Sequence, residues 1–193
     1  MKIVILVAFC LVMLVTGMAA AAPVQWLVSA GGNGHYYEAV LGSPGLTWRT
    51  ASQQAETRGG YLATITSAEE NAFVFGLVDS PEFFSSVTGG GPALGGMQDG
   101  DEINPLTGWY WVTGEPWSYS NLYYPRPNYG WAVDYYGLQF KSAQQGFPAA
   151  TWGALGDFDQ SLSGYVVEFV PEPSSIVALA GGLVLLLGMR RRK

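Results

Sequence analysis

The hydrophobic pattern divides the chain into three parts. From Ile3 to Val15 the residues are apolar without a break, with Lys2 in front and the small residues Gly17 to Ala22 behind. A bilayer-spanning helix takes roughly 20 apolar residues, so this run is short for one. A positive start, an apolar stretch and an alanine-rich end predict a cleaved secretory signal peptide over residues 1–21. Cleavage after Ala20 or Ala21 keeps Pro23 away from the position following the cut, and an uncleaved anchor is the alternative. A second apolar run, residues 176–189, lies near the C-terminus and is followed by Arg190, Arg191, Arg192 and Lys193. The middle, residues 23–169, alternates short apolar stretches with turn residues and is the size of one domain.

Within that middle, His35 to Val40 reads as a first strand, closed by the turn residues Gly42 to Gly45. Thr47 is an N-cap for a helix to Arg58, with Trp48, Ala51 and Ala55 on one face. Tyr61 to Thr64 is a short strand. Ser67 to Glu70 has the S-x-x-E form of a capping box and opens a second helix to about Leu77, with Ala72, Phe73 and Leu77 expected to face the core. Gly89 to Pro92 is a breaker. Short strands then follow at Ala93–Met97, Trp109–Val112, Tyr136–Phe140, Ala150–Leu155 and Gly164–Phe169. Between Thr113 and Trp131 the pattern predicts a long loop crowded with aromatics, and loops of that length are commonly functional. Helices early and short strands late predict an α+β domain.

Composition narrows the chemistry. Cys10, in the signal segment, is the only cysteine, so the exported domain folds without disulfides. From Pro23 to Val170 four basic residues stand against fourteen acidic ones, a net charge of −10. Such a surface repels phosphate backbones and argues against nucleic-acid binding. His35 is the single histidine, and with no cysteine in the domain there are no ligands for a zinc site and no Cys-His chemistry. No nucleophile-elbow pattern accompanies it, so a structural role is expected for His35. The carboxylates Asp157 and Asp159 admit a glycosidase reading on paper, but nothing in their setting favours it.

Several segments resemble a bacterial C-type lectin-like domain. They are NGHYYEAV (Asn33–Val40), TWRTASQQAETRGGYLATITSAEENAFV (Thr47–Val74), GGMQDG (Gly95–Gly100), GWYWVTGEPWSYSN (Gly108–Asn121) and GYVVEF (Gly164–Phe169). The resemblance implies two helices, small antiparallel sheets and a long loop region. It also implies a sugar site built on calcium, held by a Glu-Pro-Asn-like triplet, a later acidic residue, and an Asn-Asp pair after a tryptophan. Here the triplet reads Arg126-Pro127-Asn128, and the pair after Trp152 reads Gly153-Ala154. Calcium takes oxygen ligands, so a guanidinium and two side chains without oxygen leave most of the expected set missing. No metal is therefore assigned and calcium-independent binding is expected; the alternative is a calcium site in which Asp157 and Asp159, close by in the chain, substitute for the missing ligands. Asn128 and Asp134 remain as ligand-binding candidates, with Arg126, Trp131 and Asp157 beside them. Arg126 has a competing reading as an ion-pair partner of Asp134. Pro127 is a candidate cis proline. Glu115-Pro116 lies too early for the triplet and reads as loop structure. The rings of Trp117, Tyr119, Tyr123, Tyr124, Tyr129, Trp131, Tyr135 and Tyr136 invite sugar stacking, against the alternative that they pack the loop onto the domain.

The tail, residues 170–193, is similar to the PEP-CTERM sorting signal. Pro171, Glu172 and Pro173 form the motif, residues 176–189 the apolar segment, and Arg190, Arg191 and Arg192 the basic stop, which stays cytoplasmic by the positive-inside rule. The resemblance implies an exosortase-type membrane processing enzyme as partner and a Gram-negative source. The implied route runs through a transient membrane-anchored form to the cell envelope or extracellular matrix. The expected function is non-enzymatic binding of a polysaccharide; the alternative is a protein-binding or structural matrix component.

Overall fold

The computed structural model describes residues 22–87, 89–124, 134–143 and 146–171. The expected signal peptide, Arg126, Pro127, Asn128, Trp131 and the tail from Glu172 onward lie outside the described residues. The strands are β1 (Val24–Gln25), β2 (Tyr36–Leu46), β3 (Tyr61–Leu62), β4 (Gly90–Asp99), β5 (Trp109–Trp111), β6 (Leu122–Tyr124), β7 (Tyr135–Lys141), β8 (Trp152–Gly156) and β9 (Leu162–Phe169). The helices are α1 (Trp48–Thr57) and α2 (Ala68–Gly76).

Both helices start where the sequence places them. The Thr47 hydroxyl accepts from the Thr50 N–H, and the Thr50 hydroxyl accepts from the Thr47 N–H, which closes a capping box. Trp48, Ala51 and Ala55 are buried as expected. At α2 only half of the expected box forms. The Ser67 hydroxyl accepts from the Glu70 N–H, but the Glu70 carboxylate passes Ser67 and takes the Thr66 N–H and hydroxyl at 2.7 and 2.9 Å. Its other oxygen accepts from Tyr37 and Asn33, so tertiary donors outcompete the local one. Ala72 is exposed, not in the core; Asn71, Val74, Phe75 and Val78 form the buried stripe at helical spacing, with Phe73 and Leu77 beside it.

The expected small antiparallel sheets are joined into one mixed sheet in the order β1-β2-β9-β4-β7-β8-β6, with β3 on β9 and β5 on β4. Ala63 makes the join: its N–H donates to Val166 and its carbonyl accepts from Gly95, handing β9 over to β4. The β4–β9 and β6–β8 contacts are parallel. Two expected breaks lie inside strands. β2 runs through Gly42–Gly45 with a register shift and Gly45 at φ 84°, and β4 begins at Gly90 within the Gly-Pro breaker. β1 and β6 are strands the pattern did not announce. β8 begins at Trp152, because Ala150 turns at φ 60° with its carbonyl held by the amides of Asn71 and Asn121.

β9 is buried on both faces. Val166 joins the cluster with Val74 and Phe75 of α2, while Tyr165 and Val167 join Trp48, Ala51 and Ala55 of α1. Trp48 lies flat on the sheet, its indole N–H donating to the Leu94 carbonyl at 2.7 Å. Gly137 permits this, since a Cβ there would stand 2.3 Å from Trp48 Cδ1.

A polar network crosses this core. Glu168 is 1% exposed. One of its oxygens lies 2.6 Å from His35 Nδ1 and 3.2 Å from the Tyr37 hydroxyl; the other accepts from the Thr64 N–H and hydroxyl. The Thr64 hydroxyl also lies 2.6 Å from Glu115, which accepts from Thr113 as well. The Tyr37 hydroxyl donates to Glu70 at 2.5 Å. His35 therefore has the structural role expected of it, and Glu115 serves loop structure. The bond to Glu168 raises the His35 pKa, against the opposing pull of burial. Burial raises the Glu70 pKa, opposed by its bonds from Tyr37 and Thr66. Arg58 adds an ion pair to the buried Glu38 at 2.8 Å and bonds the Tyr165 hydroxyl at 3.2 Å.

Gly137→Ala is expected to cost about 2–3 kcal/mol, because Trp48 is pinned and cannot yield, read as a fall in the thermal midpoint. Gly76→Ala, at the exposed end of α2 with nothing within 4 Å, is expected to gain a few tenths to about 1 kcal/mol. The raised groups also set a pH dependence. His35 and Glu70 both hold protons more tightly folded than unfolded, so their contributions are complete at low pH and lost as pH rises through each raised value. Glu70 acts in the lower window. His35 makes the thermal midpoint fall as pH rises from about 6.5 through its raised value, and His35→Gln is expected to flatten that part of the profile.

Candidate functional site

The long loop returns to the body at β7, beside the end of β8. Pairing of Tyr136 with Gly156 brings Asp134 and Asp157 together, and the Asp134 N–H donates to Asp157 Oδ2 at 3.3 Å. Asp134 is exposed; Asp157 Oδ1 is buried and has no hydrogen-bond partner among the described residues. The neighbouring Tyr135 is likewise buried. Arg49 of α1 sits over the Tyr135 ring, 5.2 Å from its centroid. Burial raises the Tyr135 pKa, the Arg49 charge opposes this, and Asp157 adds to it. Two of the candidate ligand-binding residues are thus adjacent. Arg126, Asn128 and Trp131 lie outside the described residues.

The described residues do not make a calcium site. Calcium takes six to eight oxygens, and the side-chain oxygens here come from one carboxylate pair. Gly153 and Ala154 both lie within β8, and Ala154 is buried in the core. Asp159, proposed as a substitute ligand, is directed elsewhere: it accepts from the Ser161 N–H at 2.8 Å and acts electrostatically on Lys141. Among the described residues no group of three or more acidic or histidine side chains is placed to hold a metal ion.

The aromatics separate into packing and display. Trp117 lies 4.5 Å from Trp111, 6.1 Å from Trp109 and 6.1 Å from Trp152, and Tyr119 meets Trp152 edge-on at 5.5 Å. The Trp152 indole N–H donates to Asn71 of α2 at 2.8 Å. This cluster fixes the first half of the loop onto the body. Tyr135 and Tyr136 are buried. Tyr129 and Trp131 lie outside the described residues, as does the Tyr124 side chain. Tyr123 is displayed, at 57% exposure.

Sequence reasoning passed over three residues that shape these surfaces. Arg49 carries no signal beyond following the core residue Trp48. Phe147 lies in the connection between β7 and β8, outside any expected element. Lys141 is placed by alternation: Phe140 faces the core, so the next residue of β7 faces the opposite side.

No family model matches the chain, and no curated protein does. Solved structures similar to it include a calcium-independent type II antifreeze protein, at 19% identity over 78% of this chain and 95% of that one, with a TM-score of 0.50. Human lithostathine matches at 17% identity over 71% of this chain and 92% of that one, with a TM-score of 0.52. The C-type carbohydrate-recognition domain of cow CD23, solved in the presence of GlcNAc2Man3 oligosaccharide, matches at 20% identity over 72% and 89%, with a TM-score of 0.50. Likeness at these identities is likeness of fold: the two helices, the mixed sheet and the loop excursion between β5 and β7 are the C-type lectin-like α+β fold.

Proposed function

We propose that this protein is an exported binding protein that recognises a polysaccharide through its C-type lectin-like domain without calcium. The observation that carries the proposal is the base of the loop: the fold is kept, while β8 offers glycine and alanine after Trp152 where side-chain oxygens would be needed. A similar fold in a calcium-independent antifreeze protein and in a domain crystallised with an oligosaccharide supports both halves of the reading. The chemistry is that of recognition, not turnover. The single histidine has its Nδ1 committed to the buried Glu168, and Asp134 and Asp157 are joined through a backbone N–H. The second reading, a protein-binding or structural matrix component, is favoured by the same loss of ligands.

Export rests on the two apolar ends. The signal peptide directs the chain out of the cytoplasm. The tail, with Pro171, Glu172 and Pro173 followed by an apolar segment and Arg190 to Lys193, is a sorting handle for an exosortase-type enzyme at the membrane. The destination is the cell envelope or the extracellular matrix.

On a glycan array the protein is expected to bind equally in calcium and in chelator; binding lost on chelation overturns the calcium-free reading. An empty array together with capture of a surface protein favours the second reading. Mass spectrometry of the surface form is expected to show a C-terminus near Pro171 to Pro173. A mature chain still ending in Arg190 to Lys193 makes the tail a simple anchor.

A further inference from the structure

The face of β6, β7 and β8 turned away from the α2 side of the core carries a second feature. Leu122 packs partly into that core and Phe140 packs fully, so Tyr123 and Lys141, one residue on in each strand, project to the opposite side. Phe147 lies between them. Its ring meets Tyr123 edge-on, with centroids 6.3 Å apart and planes at 87°. Lys141 Nζ stands 4.9 Å from the Phe147 centroid, within cation–π range. Lys141 is only 6% exposed, so little of it is open to solvent. Lys141 itself is fixed by its backbone N–H to the Thr151 carbonyl at 2.9 Å. The result is an open tyrosine face braced from below by an aromatic ring, which a buried cation braces in turn.

β6 is the last strand of the sheet among the described residues. A flat, amphipathic ring with few torsions to freeze suits stacking on the apolar face of a pyranose, and bracing lowers the ordering cost further. The other described rings of the loop region lack this freedom: Trp117 and Tyr119 are taken up by Trp152 and its neighbours, and Tyr135 and Tyr136 are buried. Charge selects the sugar class. The domain carries a net −10, and Asp159 acts electrostatically on Lys141. A uronate-bearing chain would meet repulsion there that a neutral one would not.

We infer that Tyr123, braced by Phe147 and Lys141, is the stacking platform for a neutral hexopyranose unit of a polysaccharide, on the strand that pairs with Trp152 and Gly153. This rests on the carbohydrate reading above and gives it a location. The test uses the purified full chain in mild detergent and chelator. It is screened on an array of neutral and uronic-acid oligosaccharides, and the best binder is then titrated calorimetrically. Tyr123→Ala is expected to weaken binding about tenfold or more, and Tyr123→Leu, apolar but without a flat face, by a similar factor. Tyr123→Phe is expected to bind within about twofold of the wild type, since the ring and not the hydroxyl makes the contact. All three are expected to melt within a few degrees of the wild type, as the ring is mostly solvent-facing. Wild-type binding that survives both Tyr123→Ala and Tyr123→Leu, or that is confined to uronic-acid chains, overturns the platform and leaves the carbohydrate reading standing. A wild type that binds no glycan overturns both.

Discussion

The carboxylate of Glu168 is the constraint around which this domain is built. It sits in β9, the strand buried on both faces, where an unpaired charge would cost several kcal/mol. It is tolerated because the His35 ring and the N–H and hydroxyl of Thr64 converge on it, with the Tyr37 hydroxyl, which donates to Glu70, 3.2 Å away. Those groups come from the start of β2 and from the segment after β3, so satisfying one carboxylate fixes two separate stretches against β9. Tyr37 extends the demand to Glu70, and Glu70 positions α2 through Thr66 and Asn33. A domain without cysteine has no covalent tie, and this network does the registering that disulfides perform elsewhere. Its geometry is all-or-none, since removing one donor leaves a buried acceptor unmatched.

Much of the framework was legible in the sequence because it depends on local chemistry. Thr47 and Ser67 cap helices from one side chain each, and Trp48, Ala51 and Ala55 announce a face by spacing alone. What was not legible depends on partners far away in the chain. Gly42 to Gly45 and Gly89 to Pro92 carry turn signals, yet lie partly or wholly in strands, because glycine serves a bulge or a close approach as readily as a turn. Glu70 in S-x-x-E reads as half of a capping box. It is drawn one residue further by donors on β2 that no local pattern contains. Glu168 reads as an ordinary acidic residue at the end of a strand, since nothing in GYVVEF says that both faces of that strand are covered.

The binding surfaces divide in the same way. Asp134 and Asp157 meet because the β7–β8 ladder brings them together, a register that strand patterns alone leave free. Asp159, two residues on, is turned toward Lys141 by the bend that follows β8. The aromatic run from Trp117 to Tyr136 offered rings of equal promise, since stacking on a sugar and stacking on a tryptophan call for the same side chain. The ladder between β6 and β8 separates them: it packs Leu122 inward and leaves Tyr123 outward on a sheet edge.

The absence of side-chain oxygens at Gly153 and Ala154 also changes how the loop is held. A calcium ion at the head of β8 would tie loop to body through charge. In this chain the tie is made by Trp117 and Tyr119 against Trp152, by Asn121 bonding the Ala150 carbonyl, and by the backbone bond from the Trp152 N–H to Asn121. Asn71 of α2 holds the Trp152 indole from the other side. Residues 113–124 are therefore fixed by indole packing and amide hydrogen bonds. These need no ion, so chelation has no purchase on them, and β6 arrives at the sheet edge with Tyr123 already set. Stacking on a braced ring is a form of recognition that does not depend on an ion, because neither the platform nor its support draws on the groups that a calcium site would require.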